Sequence, residues 1–286
     1  MRQTVFAEPF EQFIAPARRK PAVWRIIVGF VLIAAVYIGV VAAALGTLSF
    51  LDEFDPESGA ASLGFLLATF SGATLGVWAA VKWLHGRSFG TVIGPLRPAL
   101  RHFGVAVIVV FAVQAVLLVI WSVPFDAVFQ RSLGSVLILL PLVIVLTLIQ
   151  TSAEEFVFRG YLMQQMAARF QSPWVWLLVP QAAFALLHYD PATMGALTWP
   201  VIAIIFVYAL MWADLVRVTG NLGAACGWHF ANNMILFAFV SPQDAMSDFA
   251  WAVAPYAAAD TPVFLFVLDF LASVVCWRIL RHRLRP

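Results

Sequence analysis

The sequence predicts an all-α, polytopic membrane bundle of about eight transmembrane helices, and three observations carry that prediction. Of its 286 residues, 63% are apolar and 11% charged, so the chain has more apolar surface than a soluble domain can hide and the excess must face lipid. Apolar stretches of roughly 20 residues, the length that crosses a hydrocarbon core of about 30 Å, recur with short connections between them. These stretches are apolar on every face and lack the strict alternation of a membrane barrel, so each reads as a helix.

In chain order the spans fall at 24–49, 61–83, 103–123, 134–168, 173–188, 196–216, 222–240 and 262–280. The first follows a polar leader and is long, which favours a retained span over a removable signal peptide. Between the second and third, the segment 84–102 mixes Gly, Pro, basic and apolar residues and is expected to lie along the membrane interface. The fourth is long enough to tilt or to project past the bilayer. A turn at Phe170-Gln171-Ser172-Pro173 separates it from the fifth. In the seventh, Gly223 and Gly227 have the G-x-x-x-G spacing that lets one helix pack closely on another. With no internal repeat, low-complexity tract or heptad pattern, the chain reads as one membrane domain over 1–286, and an inverted-repeat transporter is disfavoured.

Fifteen of the seventeen Lys and Arg residues fall on one side of this arrangement: Arg2, Arg18, Arg19, Lys20, Arg25, Lys82, Arg87, Arg97, Arg101, Arg169, Arg217, Arg278, Arg281, Arg283 and Arg285. The opposite connections hold Asp52, Glu53, Asp55, Glu57, Asp126, Asp190, Asp244, Asp248 and Asp260, with Arg131 their one basic residue. The positive-inside rule then puts both termini in the cytoplasm. The compact connections favour a bacterial inner (plasma) membrane. A net charge of +2 gives no sign of a nucleic-acid partner, and Cys226 and Cys276, both inside spans, give no disulfide framework.

An ionisable side chain inside a span costs about 2.5 kcal/mol or more unless paired or wetted, so intramembrane charges are the first functional candidates. The fourth span carries Glu154, Glu155 and Arg159. His188 closes the fifth, His229 lies in the seventh and Asp269 in the eighth. Glu155 and Arg159 share a helical face in the favourable acid-first order and can neutralise each other. Glu154 is turned about 100° away, has no base one turn off, and is the better candidate for a chemical base. Glu155 and His188 are equidistant from the turn, so the hairpin is expected to bring acid and imidazole face to face, about 24 Å along each helix. Phe184, one turn before His188, would wall the site. His229 and Asn233 share a face and offer two donors to a developing oxyanion. Because His229 is only about 10 Å from the start of its span, either the hairpin must project or that span must begin deeper. A Cys226–His229 nucleophile is geometrically possible but leaves the acids unexplained. Asp269 is expected to pair or to line a polar cavity.

The order E-E-x-x-x-R at 154–159, F-x-x-x-H at 184–188 and H-x-x-x-N at 229–233 resembles the three motifs of the CAAX protease and bacteriocin-processing family, which includes the Ras-converting CAAX endopeptidases and bacterial Abi-type membrane proteins. The resemblance covers about 134–240. It implies an intramembrane endopeptidase in which Glu154 and His188 activate a water, His229 and Asn233 support the oxyanion, and Glu155 with Arg159 is structural. Its partners would be a peptide or protein substrate, prenylated in the CAAX case, and the bilayer; oligomeric state is open. No cofactor is expected, the alternative being zinc held by Glu154, His188 and His229 with a water in the fourth position. H-E-x-x-H, G-x-S-x-G and G-x-G-D are missing, which sets aside other intramembrane protease types. The rival readings are a transporter using the cluster as a proton or cation relay, and a non-catalytic immunity or scaffold protein.

Overall fold

The computed structural model describes residues 7–48, 59–243 and 246–285. Arg2, Asp52, Glu53, Asp55, Glu57 and Asp244, which enter the charge argument above, lie outside the described residues. In chain order the principal helices are α1 (Glu8–Ile14), α2 (Val23–Leu48), α3 (Ala61–Leu84), α4 (Leu96–Trp121), α5 (Leu133–Arg169), α6 (Trp174–Leu186), α7 (Thr198–Thr219), α8 (Gly223–Met234) and α9 (Val263–Arg283). The protein is a multi-pass helical membrane bundle.

The count of about eight spans is corrected to six: among the described residues α2, α3, α4, α5, α7 and α9 are long and apolar enough to cross a membrane. The fifth and seventh predicted spans are helical but short. α6 stops at Leu186 because the chain turns through His188 and starts a new helical turn at Pro191, with Asp190 accepting from the Thr193 amide as its cap. α8 has 12 residues and continues as a π-helical turn, Ile235–Phe239. Its residues from Gly223 through Ala231 are all buried, so its apolar character answers to protein neighbours, not to lipid. A second correction concerns α4, which starts at Leu96 instead of 103. Pro95 precedes it and Pro98 sits in its first turn, where a missing N–H costs nothing, so the connection shrinks to 85–95 around a one-turn helix at Gly90–Ile93.

A small sheet not expected from the sequence closes one end of the bundle. β1 (Val128–Phe129) pairs antiparallel with β3 (Ala252–Ala257), which pairs parallel with β2 (Val240–Gln243). It therefore ties the connection before α5 to the segment that follows α8.

α8 is the inner helix, packed on α4, α5 and α7. Its two glycines explain how closely: a Cβ on Gly223 would sit 2.0 Å from the Ala99 carbonyl oxygen, and one on Gly227 2.4 Å from that of Phe103. The expected G-x-x-x-G contact is thus made, with α4 as partner. At the basic end, α1 packs on α7 and on the last turns of α5, with Phe10 against Trp176 of α6. Gly220, left-handed at φ +67°, ends α7 and lies so close to Pro9 that a Cβ there would be 2.4 Å from its carbonyl oxygen. α5 runs to Arg169, and α8 begins under α1 and the 90–95 turn, where the Leu222 amide donates to the Ile93 carbonyl.

Candidate active site

α5 supplies the acids. It remains a regular helix through Glu155, then widens into a π-helical segment over Phe156–Leu162, a local change often found where a helix carries function. Arg159 lies within that segment and donates from Nη1 to Glu155 Oε1 at 2.8 Å, both side chains being fully buried. The expected intrahelical pair is present.

α8 supplies the imidazole. His229 Nδ1 lies 2.9 Å from Glu155 Oε1. Its other nitrogen, Nε2, is 3.4 Å from Glu154 Oε2, an ion-pair contact too poorly aligned to be a hydrogen bond, so Glu154 Oε2 keeps no hydrogen-bond partner. Two carboxylates and two cationic groups balance in charge when His229 is an imidazolium. With both ring nitrogens facing acids, none remains for Cys226, and the thiol–imidazole pair does not form. The missing partner inferred for Glu154 is His229.

The expected meeting of Glu155 with His188 is not what the structure shows. Phe184 explains why. Its buried ring lies 4.3 Å from the Arg159 guanidinium carbon and packs edge-on to His188, at 4.9 Å, and to His229, at 5.9 Å, so it stands among the charged cluster and His188. His188 is half-buried, with Nδ1 3.0 Å from the Phe184 carbonyl oxygen. A carbonyl only accepts, so Nδ1 carries a proton, and in the neutral ring Nε2 is the nitrogen left to accept. Asn233, one turn beyond His229, donates from Nδ2 to Gln150 Oε1 at 2.8 Å, which leaves the second amide N–H uncommitted.

Two contributors escaped the sequence reading. Trp212 of α7 stacks on His229, with ring centroids 4.5 Å apart at 22°, and lies 5.2 Å from the Arg159 guanidinium carbon. Gln150 sits one turn before Glu154 on α5 and anchors Asn233. Asp269 of α9 is paired, accepting from the Tyr208 hydroxyl and from Gln114 Nε2, and the cavity of about 260 Å³ that it also lines beside α4 is mostly apolar, not the polar one expected as the alternative. Among the described residues no group of three or more His, Cys, Asp or Glu side chains is placed to hold a metal ion. Of the alternative zinc set, His229 Nε2 faces Glu154, while the Phe184 ring packs against both His229 and His188, and the three are not gathered as ligands of one ion.

Residues 134–235 match the family described as type II CAAX prenyl endopeptidase Rce1-like. The segment is thus similar to that family over about a third of the chain. The match bears out the resemblance drawn from the three motifs, and the Rce1-like segment holds α5 through α8, with every residue of the charged cluster. The chain is also similar to the uncharacterised protein YyaK of Bacillus subtilis (strain 168), 27% identical over 250 residues that cover 82% of this chain and 83% of YyaK. No solved structure matches the chain significantly.

Proposed function

We propose that the protein is an intramembrane endopeptidase of the CAAX-processing type, with Glu154 as the base that activates water. The observation that carries this reading is the unequal state of the two neighbouring acids. Glu155 is spent on Arg159 and His229, whereas Glu154 buries Oε2 beside His229 without a hydrogen bond and keeps a side chain 14% exposed, whose Oε1 is free to take a proton. In the reaction the water oxygen adds to the peptide carbonyl as its proton passes to Glu154 Oε1. His188 Nε2 accepts the water's second hydrogen bond and orients it. The oxyanion receives the loosely held Nε2–H of His229 and the spare N–H of Asn233. The proton on Glu154 then passes to the departing amine as the C–N bond breaks. Arg159, Glu155, Phe184 and Trp212 hold His229 in place. The reaction runs without a metal, and the substrate is a membrane-associated, prenylated peptide.

Purified protein is assayed against prenylated and unprenylated peptides, with Glu154→Gln and His188→Ala as controls and with strong chelator present. Cleavage of the prenylated peptide, lost in both variants and indifferent to chelator, is expected. Wild-type turnover in Glu154→Gln would refute the assignment, as would pH-coupled flux through liposomes without any cleavage. Activity lost to chelator and restored by zinc alone would overturn the metal-free mechanism.

A further inference from the structure

Outside the charged cluster, one group of ionisable side chains has no use in the proposed chemistry. It lies at the basic end, where the connection after α3 meets the chain entering α2. His85 and Arg87 are buried there, and between them Gly86 takes a left-handed conformation at φ +64°. Lys20 folds over that turn: its Nζ would be 3.1 Å from a Cβ on Gly86, and its carbonyl oxygen lies 3.3 Å from His85 Nδ1. Arg25 reaches the same turn by donating to the Leu84 carbonyl.

We propose that Lys20, Arg25 and the turn His85–Arg87 together bind the phosphate of an anionic phospholipid headgroup. The cluster is all of one sign. Arg87 is only 7% exposed, it spends Nη1 on the Thr91 hydroxyl at 2.8 Å, and its Nε and Nη2 have no hydrogen-bond partner. Two orphaned donors on one buried guanidinium are costly unless an acceptor reaches them, and a guanidinium fork is shaped for phosphate oxygens. Burial and the positive fields of Arg87, Arg25 and Lys20 push His85 down to about 4, with no carboxylate acting on it among the described residues. Thr91, which orients Arg87, also lines a largely apolar cleft of about 330 Å³ together with Gln12, Phe13, Pro16 and Ser88, so open space borders the cluster.

The surroundings favour lipid over a soluble anion. Trp24 and Trp83 are 54% and 63% exposed on either side of the cluster, and Arg25 stacks on Trp24 at 4.5 Å. Exposed tryptophans beside basic residues are the arrangement that settles at headgroup depth. The site is linked to the candidate active site through Tyr161 of α5, whose hydroxyl is 3.0 Å from His85 Nε2 and donates to the Arg25 carbonyl.

Binding is measured by native mass spectrometry on the intact protein in neutral detergent, with dioleoylphosphatidylglycerol, dioleoylphosphatidylcholine or inorganic phosphate added. Wild type should retain phosphatidylglycerol in preference to phosphatidylcholine. Lys20→Gln, an exposed change that leaves the fold intact, should bind it about fivefold more weakly, and Lys20→Gln with Arg87→Gln weaker still. If the double variant does not fold, Lys20→Gln with Arg25→Gln replaces it. Displacement by inorganic phosphate would identify the phosphate alone as the ligand, whereas resistance to it would identify the whole lipid. Equal affinity in wild type and variants, or equal retention of the two lipids, overturns the proposal.

Discussion

Replacing Glu155 by Gln removes the counter-charge of a guanidinium that has no access to solvent. Arg159 and Glu155 are each fully buried and meet at 2.8 Å. For unit charges about 4 Å apart at an effective dielectric constant of about 20, the lost attraction is about 4 kcal/mol, which agrees with the 3–5 kcal/mol typical of breaking one side of a buried pair. His229 Nδ1 loses its charged acceptor in the same step. Glu154→Gln is the contrasting change: its 3.4 Å contact with His229 is not a hydrogen bond, its side chain is partly exposed, and Glu155 still neutralises Arg159 and holds His229, so less is lost. Of the two conservative substitutions, Glu155→Gln should therefore be the more destabilising, while their effects on turnover run the other way. Thermal unfolding of the purified variants in one detergent, beside peptide turnover at a temperature where both are folded, checks this. Equal midpoints, or a Glu154→Gln protein less stable than Glu155→Gln, would refute the division between a structural and a chemical acid.

Trp212→Ala should destabilise by about 3–5 kcal/mol, the range for deleting a buried aromatic, and Trp212→Phe by clearly less; denaturant or thermal midpoints separate them. Gly227→Val should cost about 2 kcal/mol or more, because its side chain would have to displace the Phe103 backbone, and this is read as a lowered midpoint or lost expression. His85 gives a pH dependence of definite sign. Burial lowers it from 6.5 to about 4, so between those values the unfolded chain takes up the proton and the folded one resists it. Its contribution to stability is complete above pH 6.5 and shrinks as pH falls towards about 4. The thermal midpoint of the wild type should drop across that window more than that of His85→Gln.

The ion pair could be read because it is local: four residues of helix fix Glu155 against Arg159 whatever surrounds them. The same holds for Gly223 and Gly227, whose spacing announces a close neighbour without naming α4. What failed had a different physical basis. Hydropathy measures transfer out of water and does not distinguish lipid from protein as the destination, so α6 and α8 passed for spans. The hairpin symmetry that set His188 opposite Glu155 fixed depth along the helices but not rotation about them, and in the structure it is Phe184, not His188, that faces Arg159. Trp212 carried no signal, since one more aromatic in an apolar helix is unremarked until tertiary packing sets it on His229. Gln150 did carry one, as a polar residue one turn before Glu154 in a 37-residue apolar helix.

The i,i+4 pairing on α5 also bears on the order in which the protein is made. Arg159 precedes His229 in the chain by seventy positions, so the fourth span enters the bilayer before α8 has been synthesised. During that interval its charges must be neutralised within the nascent helix itself, for each unpaired one opposes insertion by roughly 2.5–3.5 kcal/mol at mid-membrane. Glu155 meets that need one turn away. The residue that later fixes the imidazole thus first escorts an arginine through the translocon, and variants at this position should insert with lower yield than wild type, the chains that do insert being the ones available for unfolding and turnover measurements.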